Sequence, residues 1–317
     1  MRPSILWGKE AMLAYYCDTF VLPLPEKHRF PMAKYELLRK AIQTDEVLSH
    51  KVRLELPPAA TDEQITLAHD VAYLNSLKEG KLDPKIERRI GFPYSLGMLE
   101  RSRRSVGATL AACRAALKEG VGVNLAGGTH HAFSDRGEGF CVFNDTVVAL
   151  RTLQKGGAVK RAVVIDTDVH QGNGTAHLLE NDDSIFTFSI HGEKNFPFRK
   201  ERSDLDIGLP DGTEDEDYLK ALAGALDKMT GVEADFCVFQ SGADPYHGDK
   251  LGRLSLTFDG LLRRDRMVLE WCRRRALPVA VTMGGGYCPE VEKIVSIHLQ
   301  TIRCAYHHFQ ENSLSFS

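Results

Sequence analysis

The stretch Arg161-Ala162-Val163-Val164-Ile165-Asp166-Thr167-Asp168-Val169-His170-Gln171-Gly172-Asn173-Gly174 decides the architecture. A short, nearly continuous apolar run reads as a strand buried on both faces, and it stops where polar residues and glycines begin. Four further runs share this form, at 121–125, 184–190, 236–240 and 278–283. Helix-like segments at 105–119, 144–155, 218–229 and 261–275 lie between most of them, and the first ninety residues are mixed and mostly helical in pattern. Strands alternating with helices in this way predict an α/β fold: a single doubly wound parallel sheet with helices on both faces. No repeat, low-complexity tract or Ser/Gly-rich linker divides the chain, so one domain over 1–317 is expected.

Composition supports a packed enzyme-sized domain and narrows its partners. Of the 317 residues, 43% are hydrophobic, enough for a sizeable core. Forty basic against forty-three acidic residues leave a net charge of -3, which does not favour direct nucleic-acid binding. No apolar run approaches the ~20 residues needed to span a bilayer, and residues 1–10 lack a signal-peptide stretch. A cytoplasmic protein is therefore expected. The seven cysteines are scattered without a CxxC pair, which points to buried free thiols rather than disulfides or a thiolate metal site.

In doubly wound sheets ligands bind beyond the carboxyl ends of the strands, and here the polar residues collect there. The first run is followed by Gly127-Gly128-Thr129-His130-His131 and the second by Asp166-Thr167-Asp168-Val169-His170. The others end in Ser189-Ile190-His191, Ser241-Gly242-Ala243-Asp244 and Gly284-Gly285-Gly286-Tyr287. Asp168 and His170, two apart, leave an extended strand on one face and with Asp244 make a three-ligand oxygen and nitrogen site for a catalytic metal. The bland alternative is that this segment only caps a helix. His130 and His131 face one cleft only in an irregular turn, which the diglycine permits, and imidazole is the natural acid or base near neutrality. Two unrelated surface histidines are the alternative, and His307-His308 reads as such a pair. Tyr287 ends a loop that lets backbone approach a ligand, where a phenol can donate to an oxyanion; an ordinary glycine loop would look the same.

Taken together, the segments GGTHHA (127–132), GEGFCVFND (137–145), DTDVHQGNG (166–174), SGAD (241–244) and GGGY (284–287) resemble the zinc-dependent histone deacetylase family, with its arginase-like α/β fold. The likeness runs from about His28 to Tyr287, and HRFPMAKYELLR (28–39) with GDKLGRLSL (248–256) is most similar to the class IV branch and its bacterial relatives. The resemblance implies Zn2+ on Asp168, His170 and Asp244. It implies His131 as general base and then acid, and His130 as its electrostatic companion paired with Asp166. Tyr287 would polarise the scissile carbonyl, Phe140 and Phe196 would wall an acyl-lysine tunnel, and the Gly139 carbonyl would take the substrate N–H. A structural K+ would sit on backbone around Asp166, Asp168, His170, Ser189 and Ile190.

The sequence also departs from the family pattern. Asn173 stands where many class I members have an Asp behind the second histidine, so His131 is expected to be less basic. Gln171 replaces a frequent second His, and Gly91-Phe92-Pro93-Tyr94 supplies no rim carboxylate. The expected activity is hydrolysis of N-acyl-lysine amides in proteins or peptides. An acetylpolyamine amidohydrolase is one alternative, but Leu251 offers an apolar rim and no acid to recognise a cationic chain. A catalytically silent metal-binding scaffold is the other, although every ligand, base and donor position is filled. A dinuclear ureohydrolase site is disfavoured because position 172 is Gly.

Overall fold

The apolar runs pair in register because each is buried on both faces and has no water left to satisfy its backbone. The computed structural model describes residues 11–26 and 28–314, so the amino-terminal segment at 1–10 read above lies outside them. The chain runs β1 (Met12–Tyr15), α1 (Lys34–Thr44), α2 (Leu48–Lys51), β2 (Val52–Glu55), α3 (Asp62–Ile65), α4 (Val71–Lys78), α5 (Pro84–Ile90) and α6 (Leu96–Glu119). It continues β3 (Val121–Asn124), α7 (Asp145–Lys155), β4 (Ala162–Asp166), α8 (Asn173–Leu179), β5 (Ile185–Gly192), β6 (Leu205–Leu209) and α9 (Asp215–Lys228). The last elements are β7 (Phe236–Ser241), α10 (Phe258–Arg274), β8 (Val279–Met283) and α11 (Val291–Leu314). The eight strands form one parallel sheet in the order β2-β1-β3-β8-β7-β4-β5-β6.

Period-two alternation feeds both faces of this sheet. Val163 and Ile165 of β4 point into the layer made with α1, α9, α10 and α11, and Ala162 and Val164 point into the layer made with α6 and α7. In β7, Cys237 and Phe239 join the first layer while Phe236 and Val238 join the second. The doubly wound expectation therefore holds, with all five predicted strands present. Three further strands carried no such signal. β1 and β2 are only four residues each and lie in the region read as mostly helical, and β6 is an edge strand whose outward residues are exposed and polar. Helix α6 starts nine residues before the apolar pattern suggests, because the Ser95 hydroxyl accepts from the Met98 amide and caps it there.

Two smaller expectations are settled here. All seven cysteines are buried and free. His307 is exposed, but His308 is 4% accessible on the inner face of α11, so the two are not a surface pair. Among the described residues no helix is long and apolar enough to cross a membrane.

Helix α6 lies close against β3 at Gly122, where an added Cβ would fall 2.1 Å from the Ala112 carbonyl oxygen. That clash is with backbone and cannot be relieved by a rotamer change. Gly122→Ala should therefore lower stability by about 1–3 kcal/mol. Gly224, inside α9 with nothing within 4 Å of an added Cβ, should behave oppositely, with Gly224→Ala adding roughly 0.5–1 kcal/mol. Denaturant midpoints of the two variants against the parent check both signs.

Candidate active site

The parallel sheet places four successive strand ends, those of β3, β8, β7 and β4, side by side on one edge. Regular β4 geometry ends at Asp166. Asp168 and His170 are therefore not on one face of a strand, as their spacing suggested. A turn brings them together instead: the Asp168 carboxylate accepts from the His170 amide at 2.9 Å, and the Thr167 amide donates to the Gln240 carbonyl of β7 at 3.0 Å. Asp244, beyond β7, accepts from the Val169 amide at 2.9 Å through Oδ1.

Asp168, His170 and Asp244 offer ligand atoms that all lie within 4.8 Å of one another, and all three residues are buried. The His170 Nδ1 is 3.0 Å from Asp168 Oδ1 and 3.2 Å from Asp244 Oδ2. Tetrahedral ligands at 2.0–2.2 Å from an ion would be separated by roughly 3.3–3.6 Å, so a small divalent ion needs little adjustment here. Apart from that ion contact with His170, the Asp244 Oδ2 atom is buried without a hydrogen-bond donor. Burial and the neighbouring Asp168 push the Asp244 carboxyl up to about 7, while the two carboxylates overcome burial to hold His170 up to about 10. A cluster that draws protons so strongly has unmet negative charge, and a cation answers it. The residues present fit a metal with one nitrogen and two carboxylate ligands.

The glycines of the neighbouring loops make room for these carboxylates. A Cβ on Gly285 would sit 1.8 Å from Asp244 Oδ2, and one on Gly284 would sit 2.7 Å from Asp168 Oδ2. The Gly285 amide donates to Asp168 Oδ2 at 2.6 Å. Position 172 is similarly closed: a Cβ there would meet Asp166 Oδ2 at 2.5 Å and the His130 ring at 3.3 Å, which leaves no space for the further Asp of a dinuclear centre.

His130 and His131 both point into the site, with ring centroids 4.0 Å apart. The His130 Nδ1 is hydrogen-bonded to Asp166 at 2.6 Å, and the His131 Nδ1 to the Asn173 side-chain oxygen at 2.6 Å. Burial opposes a charge on His130, but Asp166 and Asp168 outweigh it and raise its pKa. Burial, then the charges of His130 and His170, hold His131 well below the usual imidazole range, and the Asn173 amide offsets this only in part. His131 is therefore neutral, with Nδ1–H committed to Asn173 and Nε2 free to accept a proton.

A cavity of about 650 Å³ opens above, with His131, His170 and Tyr287 at its base and Phe140, Phe196 and Leu251 along its walls. Phe196 meets the His131 ring edge to face at 4.9 Å, and Phe140 lies 5.9 Å from Tyr287. Gly139 has φ 55°, and a Cβ on it would come within 2.6 Å of the His131 ring. Phe140 has φ 66°, strained for an aromatic residue, and its amide donates to the Ile90 carbonyl at 2.7 Å, which holds the wall in place. The Gly139 carbonyl accepts from the Cys141 thiol at 3.4 Å. Burial, then Asp244 and Asp168, raise the Tyr287 hydroxyl well above its ordinary pKa, so it remains a proton donor. Near the end of β5, which runs on to Gly192, the Ser189 hydroxyl sits 2.9 Å from His191 Nδ1, and Ser189 pairs in register with Asp166.

Three residues of this site were not singled out from the sequence. Asp145 is fully buried and its carboxylate accepts from Gly128 N, Thr129 N, and the Thr129 and Thr109 hydroxyls, folding the turn that delivers both histidines. Asp249 accepts from the Tyr287 amide at 2.6 Å and from Leu251 and Gly252. Lys34 is 2% exposed, with Nζ 3.4 Å from the Gly286 carbonyl and 5.4 Å from the Tyr287 ring centre. Burial lowers it to about 8 against the pull of Asp244 and Asp168. A signal for Lys34 exists in its helical spacing with Leu38 and Ile42, which places it on the inner face of α1.

Known proteins match this chain along most of its length. Residues 28–302 match the family described as the histone deacetylase domain. An uncharacterised protein of Picosynechococcus sp. is 43% identical over 293 residues, covering 92% of this chain and 97% of that protein. Histone deacetylase 2 of Arabidopsis thaliana is 27% identical, covering 90% and 76%. The acetoin utilization protein AcuC of Bacillus subtilis is 30% identical, covering 73% and 66%. Among solved structures, an HDAC homologue from Aquifex aeolicus superposes with a TM-score of 0.78 at 26% identity, covering 96% of this chain and 84% of that one. Another HDAC homologue, solved in complex with SAHA, gives 0.78 at 25% identity, covering 97% and 89%. By the match of its sequence over 28–302 and the sheet that carries it, this chain belongs to the histone deacetylase family.

Proposed function

We propose that the chain is a zinc-dependent hydrolase of N-acyl-lysine amides in proteins or peptides, and that residues 1–317 form one such domain. The observation that supports this reading best is the convergence, at the base of one cavity, of the cation-seeking cluster Asp168–His170–Asp244 with a neutral imidazole and an un-ionised phenol. Zn2+ bound there supplies a Lewis acid and lowers the pKa of water toward ~7. A K+ on the backbone around Asp166, Asp168, His170, Ser189 and Ile190 completes the proposed ion set.

The chain's own residues then have distinct tasks. His131 accepts the proton of the attacking water at Nε2 and returns it to the leaving lysine amine. His130, held charged by Asp166, stands 4.0 Å away and keeps His131 from becoming a proton sink in the resting state. The Tyr287 hydroxyl donates to the carbonyl oxygen as it gains negative charge. Phe140 and Phe196 exclude water from the alkyl chain, Leu251 lines the mouth, and the Gly139 carbonyl receives the substrate N–H. An acetylpolyamine reading finds no acid at Leu251 to hold a second ammonium group.

Three outcomes test these assignments. Purified chain should hold about one zinc per molecule, chelation should lower its unfolding temperature, and Asp244→Ala should abolish uptake in an elemental assay. His131→Ala and Tyr287→Phe should each lower turnover of a fluorogenic acetyl-lysine substrate by roughly 10²-fold or more with zinc content unchanged. Near-parental rates in both would remove these roles. In Asn173→Asp a carboxylate favours the imidazolium form, so His131 becomes more basic. The acidic limb of the kcat/KM profile should then move to higher pH, and an unmoved limb would dissociate residue 173 from the base.

A further inference from the structure

The mouth of the cavity carries a charge that the assigned chemistry does not use. Six cationic side chains line it, Arg29, Arg88, Arg89, Lys194, Lys250 and Arg253, against one carboxylate, Glu138. This concentration runs against a chain whose net charge is -3. All six cations are exposed. Arg253 is paired with Asp211 at 3.1 Å, and Glu138 faces Arg136 at 4.0 Å. Among the described residues, none of the other five has a carboxylate within 4.0 Å. Unneutralised like charges held around one opening repel each other, and nothing in the packing requires them.

Their placement is tied to the catalytic floor. Arg88 and Arg89 end α5, and the Arg89 and Ile90 carbonyls accept from the Gly139 and Phe140 amides at 2.9 and 2.7 Å. The same helix end therefore holds the tunnel wall and presents two guanidinium groups. Lys250 flanks Leu251 in the loop that Asp249 fastens to Tyr287, and Lys194 precedes Asn195, whose amide donates to the Leu251 carbonyl at 2.7 Å. The cations thus come to the opening from four segments, β1–α1, α5, β5–β6 and β7–α10. Phe198, 88% exposed, adds an aromatic face at the same rim.

We propose that this rim selects acyl-lysines in acidic surroundings, binding the carboxylates of Asp or Glu residues that flank the modified lysine. The inference rests on the lysine-hydrolase reading for the reaction and on the rim alone for the selection. It predicts poor use of lysine- and arginine-rich tails and of acetylated polyamines, whose second ammonium group meets the same field. Guanidinium groups suit the task because they grip carboxylates with two parallel donors.

The experiment uses the zinc-loaded full chain and three acetyl-lysine peptides of one length, flanked by Glu, by Ser or by Lys. Both kcat/KM and, by fluorescence anisotropy, binding are measured at low and high ionic strength. At low salt the Glu peptide should exceed the Lys peptide by on the order of tenfold or more in both readouts, and high salt should shrink the ratio. Arg88→Glu and Lys250→Glu should bring the ratio toward one or invert it. Equal values for the three peptides in both readouts would overturn the rim assignment. Selective binding without turnover would overturn lysine hydrolysis and leave the rim assignment standing. A Ser-flanked succinyl-lysine peptide preferred over all three would move the recognised carboxylate from the flanks to the acyl group, against the proposal.

Discussion

Two carboxylates held side by side out of water, Asp168 and Asp244, are the constraint to which the surrounding structure answers. Like charges in a buried site repel, and neither can be tolerated without donors or a cation. The donors are backbone amides from two turns at the sheet edge, Val169 and His170 after β4 and Gly285 after β8. Those turns must approach within contact of the oxygens, which is why Gly242, Gly284 and Gly285 cannot carry a side chain. Under them, fully buried Arg264 donates to the Gly242 carbonyl at 2.6 Å and pairs with Asp265, placing positive charge below the site. The glycine motifs are thus a consequence of the acids and not an independent binding loop.

Another buried acid, Asp145, does comparable work for the bases. Asp145 stands at the start of α7, where the helix dipole favours a negative charge, and gathers the amides and hydroxyl of the 128–129 turn. Gly127, with φ 80°, supplies the left-handed residue that lets the turn reverse. Two adjacent histidines then face one cleft, an arrangement that neither a strand nor a helix would allow. Their different partners, Asp166 and Asn173, divide them into a charged and a neutral imidazole.

Much of this was legible in the sequence because burial on both sheet faces writes an unmistakable pattern. Runs such as Ala162–Asp166 have no polar alternation, and the residues after them had to lie at the ligand-bearing edge. The edge strand Leu205–Leu209 escaped notice for the opposite reason, since one of its faces meets water and its apolar residues are diluted. The residues of the site were found where a motif joined unusual chemistry to a strand end. Asp145 leaves no spacing signature because its donors, Thr109 and the 128–129 turn, come from distant segments. Asp249 takes local donors from Leu251 and Gly252, as any turn aspartate does, and the one that ties it to the site, the Tyr287 amide, is distant in sequence. Lys34 was passed over because a lysine on a helix is ordinarily solvated.

The order of strands has a further consequence for how the molecule yields. The convergent residues hang from β3, β8, β7 and β4, the four central strands, each hydrogen-bonded on both sides. These are the last segments to exchange their amide hydrogens, since opening them requires opening the sheet. The floor therefore has almost no local breathing of its own, whereas α5 and the segments after β5 and β7 lie outside that protected core. Changes made on α5 and those loops therefore need not disturb the sheet that carries the chemistry beneath.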